Sequence, residues 1–314
     1  MRKRKKRKKI ITIFILSLLI MITGYSAFNT NIKLSAKGNV YNKGDLCYET
    51  SDNKDGTVTI TNYDEKCGSE VIIPSTIKGK IVTAIGGTQW NVSKSFNHKG
   101  LTKVVIPDTV KFIYECAFYG NKISSLDLGN GVYELGMEVF GDNKLTYVNF
   151  PESLKKVRAG AFQSNNLVHI PNLDNLTFLD TGVFWGNSVE GDEAFVYGRN
   201  ADGTINYTIL NSYAGVWREV LNIPNTVKIL PYYSLRYAKA STINLPEGLK
   251  IIRNQALMNT RATVNIPSTI ESIESNAFSQ TNGNITINIK RKENAIEGAP
   301  WGATNATVNW IGNN

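Results

Sequence analysis

The sequence predicts a mostly β protein: a solenoid of repeats about 22 residues long, interrupted by a β-hairpin insertion and closed by a cap at each end. Four consecutive strings of 22 residues begin at Leu101, Ile123, Leu145 and Leu167, and they place Phe118, Phe140, Phe162 and Phe184 on one register. After an interruption the pattern resumes around Pro224, Pro246 and Pro267, with Leu235, Leu257 and Phe278 at the same position. These make about seven copies, and an irregular first copy starts near Pro74. One unit holds too few apolar residues to fold alone, so the copies must stack and share a core.

The chain opens on an export signal. Eight basic residues at 2–9 precede a 13-residue apolar run at 10–22, whereas a helix needs about 20 to span a bilayer. The small polar string TGYSA follows, and the segment YSAFNTN resembles the start of camelysin-type biofilm matrix proteins of Gram-positive bacteria. That resemblance implies cleavage between Ala27 and Phe28, making 1–27 a signal peptide. If it stays uncleaved, it is a membrane anchor and the only membrane contact expected. Removing it changes the charge reading. The full chain carries 35 Lys and Arg against 26 Asp and Glu, but eight basic residues leave with the signal and the remainder is near +1. No basic stripe is left to meet a phosphate backbone, so nucleic acid is excluded as a partner.

Residues 28–67 are expected to form the N-terminal cap, because a solenoid leaves an open strand edge. Cys47 and Cys67 flank a short segment in a compartment where disulfides persist, and they are expected to pair. Cys116 stands before Ala117 and Phe118 inside a repeat and reads as a core thiol. The first repeat block covers 68–188. In its first regular copy Leu101, Val104 and Ile106 make a short extended run that Pro107 closes, Val110 and Ile113 form a second apolar pair, and Ala117-Phe118 fills the interior.

Residues 189–217 depart from the repeat. Asp202-Gly203 lies between two runs of β-formers, which signals a hairpin projecting from the stack. Tyr207, Tyr213 and Trp217 either pack against it or anchor a partner. The second block spans 218–282 and a C-terminal cap spans 283–314. There Ile285, Ile287 and Ile289 alternate, and Trp301 and Trp310 either cover the core or stack on carbohydrate.

The recurring pattern I-P-x-x-V-x-x-I-x-x-x-A-F resembles the BspA-type leucine-rich repeat, named for a bacterial surface antigen, and the resemblance covers residues 68–310. Departures are Pro171, shifted by two positions, Gly129-Asn130-Gly131 in place of the proline turn, and leucine for phenylalanine at 235 and 257. The resemblance implies a leucine-rich-repeat solenoid that is secreted or at the cell surface and works in adhesion.

Chemistry is sparse. His98 and His169 have no metal-ligand spacing, no nucleophile elbow, P-loop or H-E-x-x-H occurs, and carboxylates such as Asp108, Glu115, Asp127, Glu134, Asp142 and Glu152 are scattered. Asp52 to Gly56 is a calcium-loop fragment broken by Lys54. No cofactor, metal or catalysis is expected. Alternation along the extended runs predicts two outward files. One holds Lys103, Ser125, Tyr147, His169, Val220, Thr242 and Thr263; the other holds Val105, Asp127, Asn149, Pro171, Asn222, Asn244 and Asn265. The asparagines are expected to bond one another up the sheet. Lys103, Tyr147 and His169 are the candidate binding face for a protein or glycan ligand. The alternative is a structural component of the extracellular matrix or cell envelope.

Overall fold

The computed structural model describes residues 32–34, 40–42, 46–87, 95–281 and 283–312. The signal peptide, with Ala27 and Phe28, lies outside the described residues. The chain divides into two units, residues 1–49 and 50–314. In the first, Ile32–Leu34 pairs antiparallel with Val40–Asn42. The second is a β-solenoid of about 11 turns at roughly 22-residue spacing, with about 3% helix among the described residues.

The turns contribute strands to a front and a back sheet face. Along the front, Glu70–Ile72, Lys103–Val105 and Ser125–Asp127 pair in parallel. Farther on, Arg218–Asn222, Ala240–Asn244, Thr263–Ile266, Ile285–Ile289 and Ala306–Trp310 do the same. Along the back run Lys80–Ile85, Phe112–Ile113, Glu134–Leu135, Lys156–Val157 and Phe178–Leu179. The third side is a ladder of Ala-Phe turns, in which Phe118, Phe140 and Phe162 donate backbone N–H to the carbonyls of Val139, Ala161 and Val183 at 2.9–3.0 Å. Inside this ladder Phe96, Phe118, Phe140, Phe162 and Phe184 are fully buried, with ring centroids 4.8–5.9 Å apart. Phe96 and Trp301 extend the predicted anchors at both ends: Trp301 is fully buried and its carbonyl accepts from Phe278 N–H at 3.0 Å.

A buried amide follows Phe118, Phe140, Phe162 and Phe184. Asn121, Asn143, Asn165 and Asn187 each donate Nδ2 to the carbonyl of the phenylalanine three residues earlier, at 2.7–3.2 Å, and to the residue at that position one turn back, at 2.8–3.0 Å. Their Oδ1 atoms accept the N–H of Leu101, Ile123, Leu145 and Leu167. The recurrence F-x-x-N in all four strings was the available signal.

Three expectations are corrected. The hairpin of Phe195–Arg199 and Ile205–Tyr213 forms around Asp202-Gly203, but it does not project. Its second strand is a rung of the back sheet, with Ile209 opposite Ile229, and Leu210 to Tyr213 are buried. Asn211 ties it to the first block by donating to the Leu179 carbonyl at 2.8 Å and accepting Gly182 N–H at 2.8 Å. A strand with a ladder partner on each side has no reason to leave the stack. Next, no strand forms at Tyr147 or His169. Pro171, two positions early, removes an N–H donor there, and Ile170 N–H bonds Glu193 Oε1 at 2.7 Å. Third, Pro171 is buried, not outward. Cys116 is half-buried in a left-handed conformation, and burial, reinforced by Glu138 and Glu115, pushes its thiol up to about 11.

The hairpin has a twin. Asn53-Lys54-Asp55-Gly56-Thr57 and Asn200-Ala201-Asp202-Gly203-Thr204 make the same turn. In each the asparagine N–H bonds the threonine carbonyl at 2.9 Å, asparagine Nδ2 reaches threonine Oγ1 at 2.9 Å, and threonine Oγ1 donates to the aspartate at 2.6 Å. The threonine hydroxyl and N–H hold the Asp55 and Asp202 carboxyls below their usual range. The calcium-loop fragment is therefore half of a hairpin turn. Both hairpins feed a parallel back-sheet strand, Val58–Tyr63 onto Lys80–Ile85 and Ile205–Tyr213 onto Ile229–Leu230. Each repeat block thus begins with the same hairpin module.

Cys47 and Cys67 are disulfide-bonded. Closing a loop of about 20 residues contributes roughly 3 kcal/mol by restricting the unfolded chain. Reduction is therefore expected to lower the urea midpoint. Two free thiols at these positions, by intact mass without reductant, would contradict the pairing.

Candidate functional site

The front sheet is the surface that the repeat holds most regularly. In the second block its strands carry Thr242 and Asn244, Thr263 and Asn265, Thr286 and Asn288, then Thr307 and Asn309. Inward neighbours Ile243, Val264 and Ile287 are fully buried, so alternation forces the threonines and asparagines outward. The asparagines form an amide ladder. Asn244, Asn265, Asn288 and Asn309 each donate Nδ2 to the Oδ1 of the asparagine one turn back, from Asn222 onward, at 2.7–2.9 Å. The ladder extends the bonding expected of Asn222, Asn244 and Asn265 by two turns. It uses one donor and one acceptor per interior amide and leaves the remaining pair to solvent or a ligand.

Lys103 is half-buried and stands between Glu70 and Ser125 in register. Tyr147 is 63% exposed, with no hydrogen bond, ring contact or cation contact among the described residues. His169 is exposed, and its Nδ1 lies 3.1 Å from Glu193 Oε2. No hydrogen bond or ion pair joins the three. They occupy separate turns, with Lys103 and Tyr147 two turns apart, roughly 10 Å at the usual strand spacing. Trp217, immediately before the strand Arg218–Asn222, is 61% exposed and is likewise without such a contact. Tyr213 packs against Phe195 at 5.3 Å and Tyr207 against Tyr197 at 5.0 Å.

The back sheet differs in that its exposed aromatics are partnered. Arg158 lies 4.9 Å from the Phe178 ring and 2.7 Å from Glu134, and Lys156 lies 5.7 Å from the Tyr133 ring. His98 packs edge-on to Tyr119 at 5.5 Å. Among the described residues no group of three His, Cys, Asp or Glu could hold a metal ion, and no helix is long and apolar enough to cross a membrane.

The family model described as "BspA type Leucine rich repeat region (6 copies)" matches residues 92–191 and 211–305, breaking where the second hairpin enters. A leucine-rich repeat protein from Eubacterium ventriosum is similar at 21% identity, with 83% of this chain and 73% of that chain covered and a TM-score of 0.53. A leucine-rich repeat protein from Bacteroides ovatus shares 16% identity over 83% and 75% of the two chains, with a TM-score of 0.44. A leucine-rich cell surface protein from Faecalibacterium prausnitzii shares 19% identity over 85% and 94%, with a TM-score of 0.36. No curated protein matches. With more than half of its length matched to the repeat model and its turns built on the Ala-Phe ladder, the chain belongs to the BspA-type leucine-rich repeat family.

Proposed function

We propose that the chain is exported, loses residues 1–27, and acts outside the cell or at its surface as a non-catalytic adhesion protein that binds a protein or glycan ligand across its front. Membership in the repeat family and the disulfide support this setting. The observation that carries the reading is the pair Tyr147 and Trp217. Both are large aromatic side chains left open to solvent, the residue types that anchor binding interfaces. The amide ladder between them and the C-terminal end supplies regularly spaced polar contacts.

N-terminal sequencing of the native protein tests export: a start at Phe28 is expected, and a retained Met1 or Arg2 would make this a membrane-anchored protein. Binding to intact cells tests the surface. Tyr147→Ala with His169→Ala is expected to weaken saturable binding about tenfold or more, since hot-spot truncations cost about 2 kcal/mol. Unchanged binding would remove Lys103, Tyr147 and His169 as the contact face.

A matrix role has one specific observation behind it. Ala306–Trp310 ends the front sheet and pairs on one side only among the described residues, and such an edge can template another chain. Concentration-dependent assembly in sedimentation would favour that role, and a monomer that binds cells would favour adhesion.

A further inference from the structure

A cleft of about 510 Å³ opens on the third side of the stack, where the turns of the first block meet the first turn of the second. Glu138 and Asp142 stand on its first-block wall, and Arg236 and Lys239 on the opposite wall. Although all four charges line one space, no ion pair within 4.0 Å joins them among the described residues. The backbone at both carboxylates is held by the ladder: Glu138 N–H bonds the Ala159 carbonyl at 2.9 Å and Asp142 N–H the Gln163 carbonyl at 3.0 Å. Arg236 is fixed by rings, its guanidinium 4.5 Å from Trp185 and 4.4 Å from Tyr233. Glu138 and Asp142 both raise the Tyr119 phenol beyond the effect of its burial, and Arg236 opposes them, so charges from both walls act on one hydroxyl.

Three lining side chains each hold a buried atom without a hydrogen-bond partner. Gln163 is 5% exposed and Trp185 6% exposed, yet Gln163 Oε1 and Trp185 Nε1 have no hydrogen-bond partner, and neither does Arg236 Nε. Buried polar atoms are ordinarily paired, but these three are almost wholly occluded, and the groups that line the open cleft are those of Glu138, Asp142, Arg236 and Lys239.

We propose that this cleft binds a neutral saccharide unit. The carboxylates of Glu138 and Asp142 accept and the cationic groups of Arg236 and Lys239 donate, with no ion pair within 4.0 Å between them among the described residues. A sugar hydroxyl donates and accepts at once, so a polyhydroxylated ring bridges carboxylate and guanidinium. The two acidic and two basic groups cancel, which disfavours an anion against Glu138 and Asp142 and a cation against Arg236 and Lys239. Tyr237, stacked 5.1 Å from Trp185, and Tyr119 add apolar surface for the C–H faces of a sugar. The volume falls within the range of small-molecule sites, about 300–1,000 Å³. The inference rests on the reading of the chain as a binding protein and specifies a glycan component for a site away from the front sheet.

The test titrates the purified full-length chain with cellobiose, maltose, lactose and diacetylchitobiose up to ~20 mM, followed by saturation-transfer NMR and tryptophan fluorescence. At least one disaccharide is expected to saturate, and Glu138→Gln with Asp142→Asn is expected to weaken it about tenfold without moving the melting temperature. Arg236→Lys, which keeps charge but loses the planar fork, is expected to weaken it as well. Saturation by none of the four, or unaltered affinity in the double variant, would overturn the site. Tyr147→Ala with His169→Ala should leave saccharide binding intact. A chain that binds cells through Tyr147 but takes no sugar therefore refutes the cleft alone, and the reverse result refutes the front face alone.

Discussion

Phe140→Ala is expected to destabilise the solenoid by about 3–5 kcal/mol, measured as a fall in urea midpoint with little change in slope. Phe140 is fully buried and stacks on Phe118 at 5.2 Å and 9° and on Phe162 at 5.6 Å and 20°. Truncation opens a void between two rings that cannot close together. Their backbones are fixed at ladder spacing, Phe118 N–H to Val139 O at 2.9 Å and Phe140 N–H to Ala161 O at 2.9 Å. The cost is therefore lost transfer energy plus an uncollapsed cavity. Because each turn touches only its neighbours, the damage sits in the middle of the first block and removes stacking on both sides. A loss below about 1 kcal/mol would mean that the ring column contributes little to cohesion.

Asn143→Ala is expected to cost about 3 kcal/mol, although it removes a polar side chain from the interior. Asn143 is fully buried, its Oδ1 accepts Ile123 N–H at 3.0 Å, and its Nδ2 donates to the carbonyls of Phe118 and Phe140 at 3.0 and 3.1 Å. Those carbonyls keep a second amide donor from Asn121 and Asn165, so the decisive loss is Ile123 N–H, left buried without its partner. Asn143→Asp is expected to be worse at neutral pH, because a carboxylate faces two carbonyl oxygens. Burial and those oxygens raise the folded-state pKa of the introduced acid above its unfolded value, so part of the loss is recovered as the pH falls and the acid becomes a donor. Asn143→Thr is expected to be milder than Ala. Thr260 and Thr281 show that a hydroxyl serves here with one donor, to the carbonyls of Leu235 at 3.4 Å and Phe278 at 3.0 Å. Equal stability of Asn143→Ala and the parent would remove the amide ladder as a structural element.

Much of the fold was legible because the repeat period is also the period of burial. Phe118, Phe140, Phe162 and Phe184 could be placed inside, and Asn222, Asn244 and Asn265 outside and bonded, from spacing alone. Asn121, Asn143, Asn165 and Asn187 recur just as regularly, but composition does not reveal that a turn points its amide inward. The hairpin around Asp202 was legible as a local signal. Its incorporation into the stack was not, because that depends on Ile209 meeting Ile229 and Asn211 meeting Leu179 and Gly182, pairings set by the neighbouring turns. His169 is exposed, but the strand expected there is absent for a related reason: once Pro171 removed a donor, Glu193 took over the nearby backbone, and no alternation rule anticipates a side chain from 23 residues away.

The candidate sites divide along the same line. Tyr147 could be nominated because outwardness follows from register. The cleft could not, because Glu138 and Arg236 lie in different blocks and meet only when the hairpin continues the core from one to the other.

Binding across the front of the solenoid is tested most directly by hydroxyl-radical footprinting of the chain, free and bound to intact cells. The expected result is loss of oxidation at Tyr147 and Trp217 on binding, with Phe112 and Phe178 on the back sheet unchanged. Protection at Phe112 and Phe178 with Tyr147 and Trp217 still oxidised would contradict it.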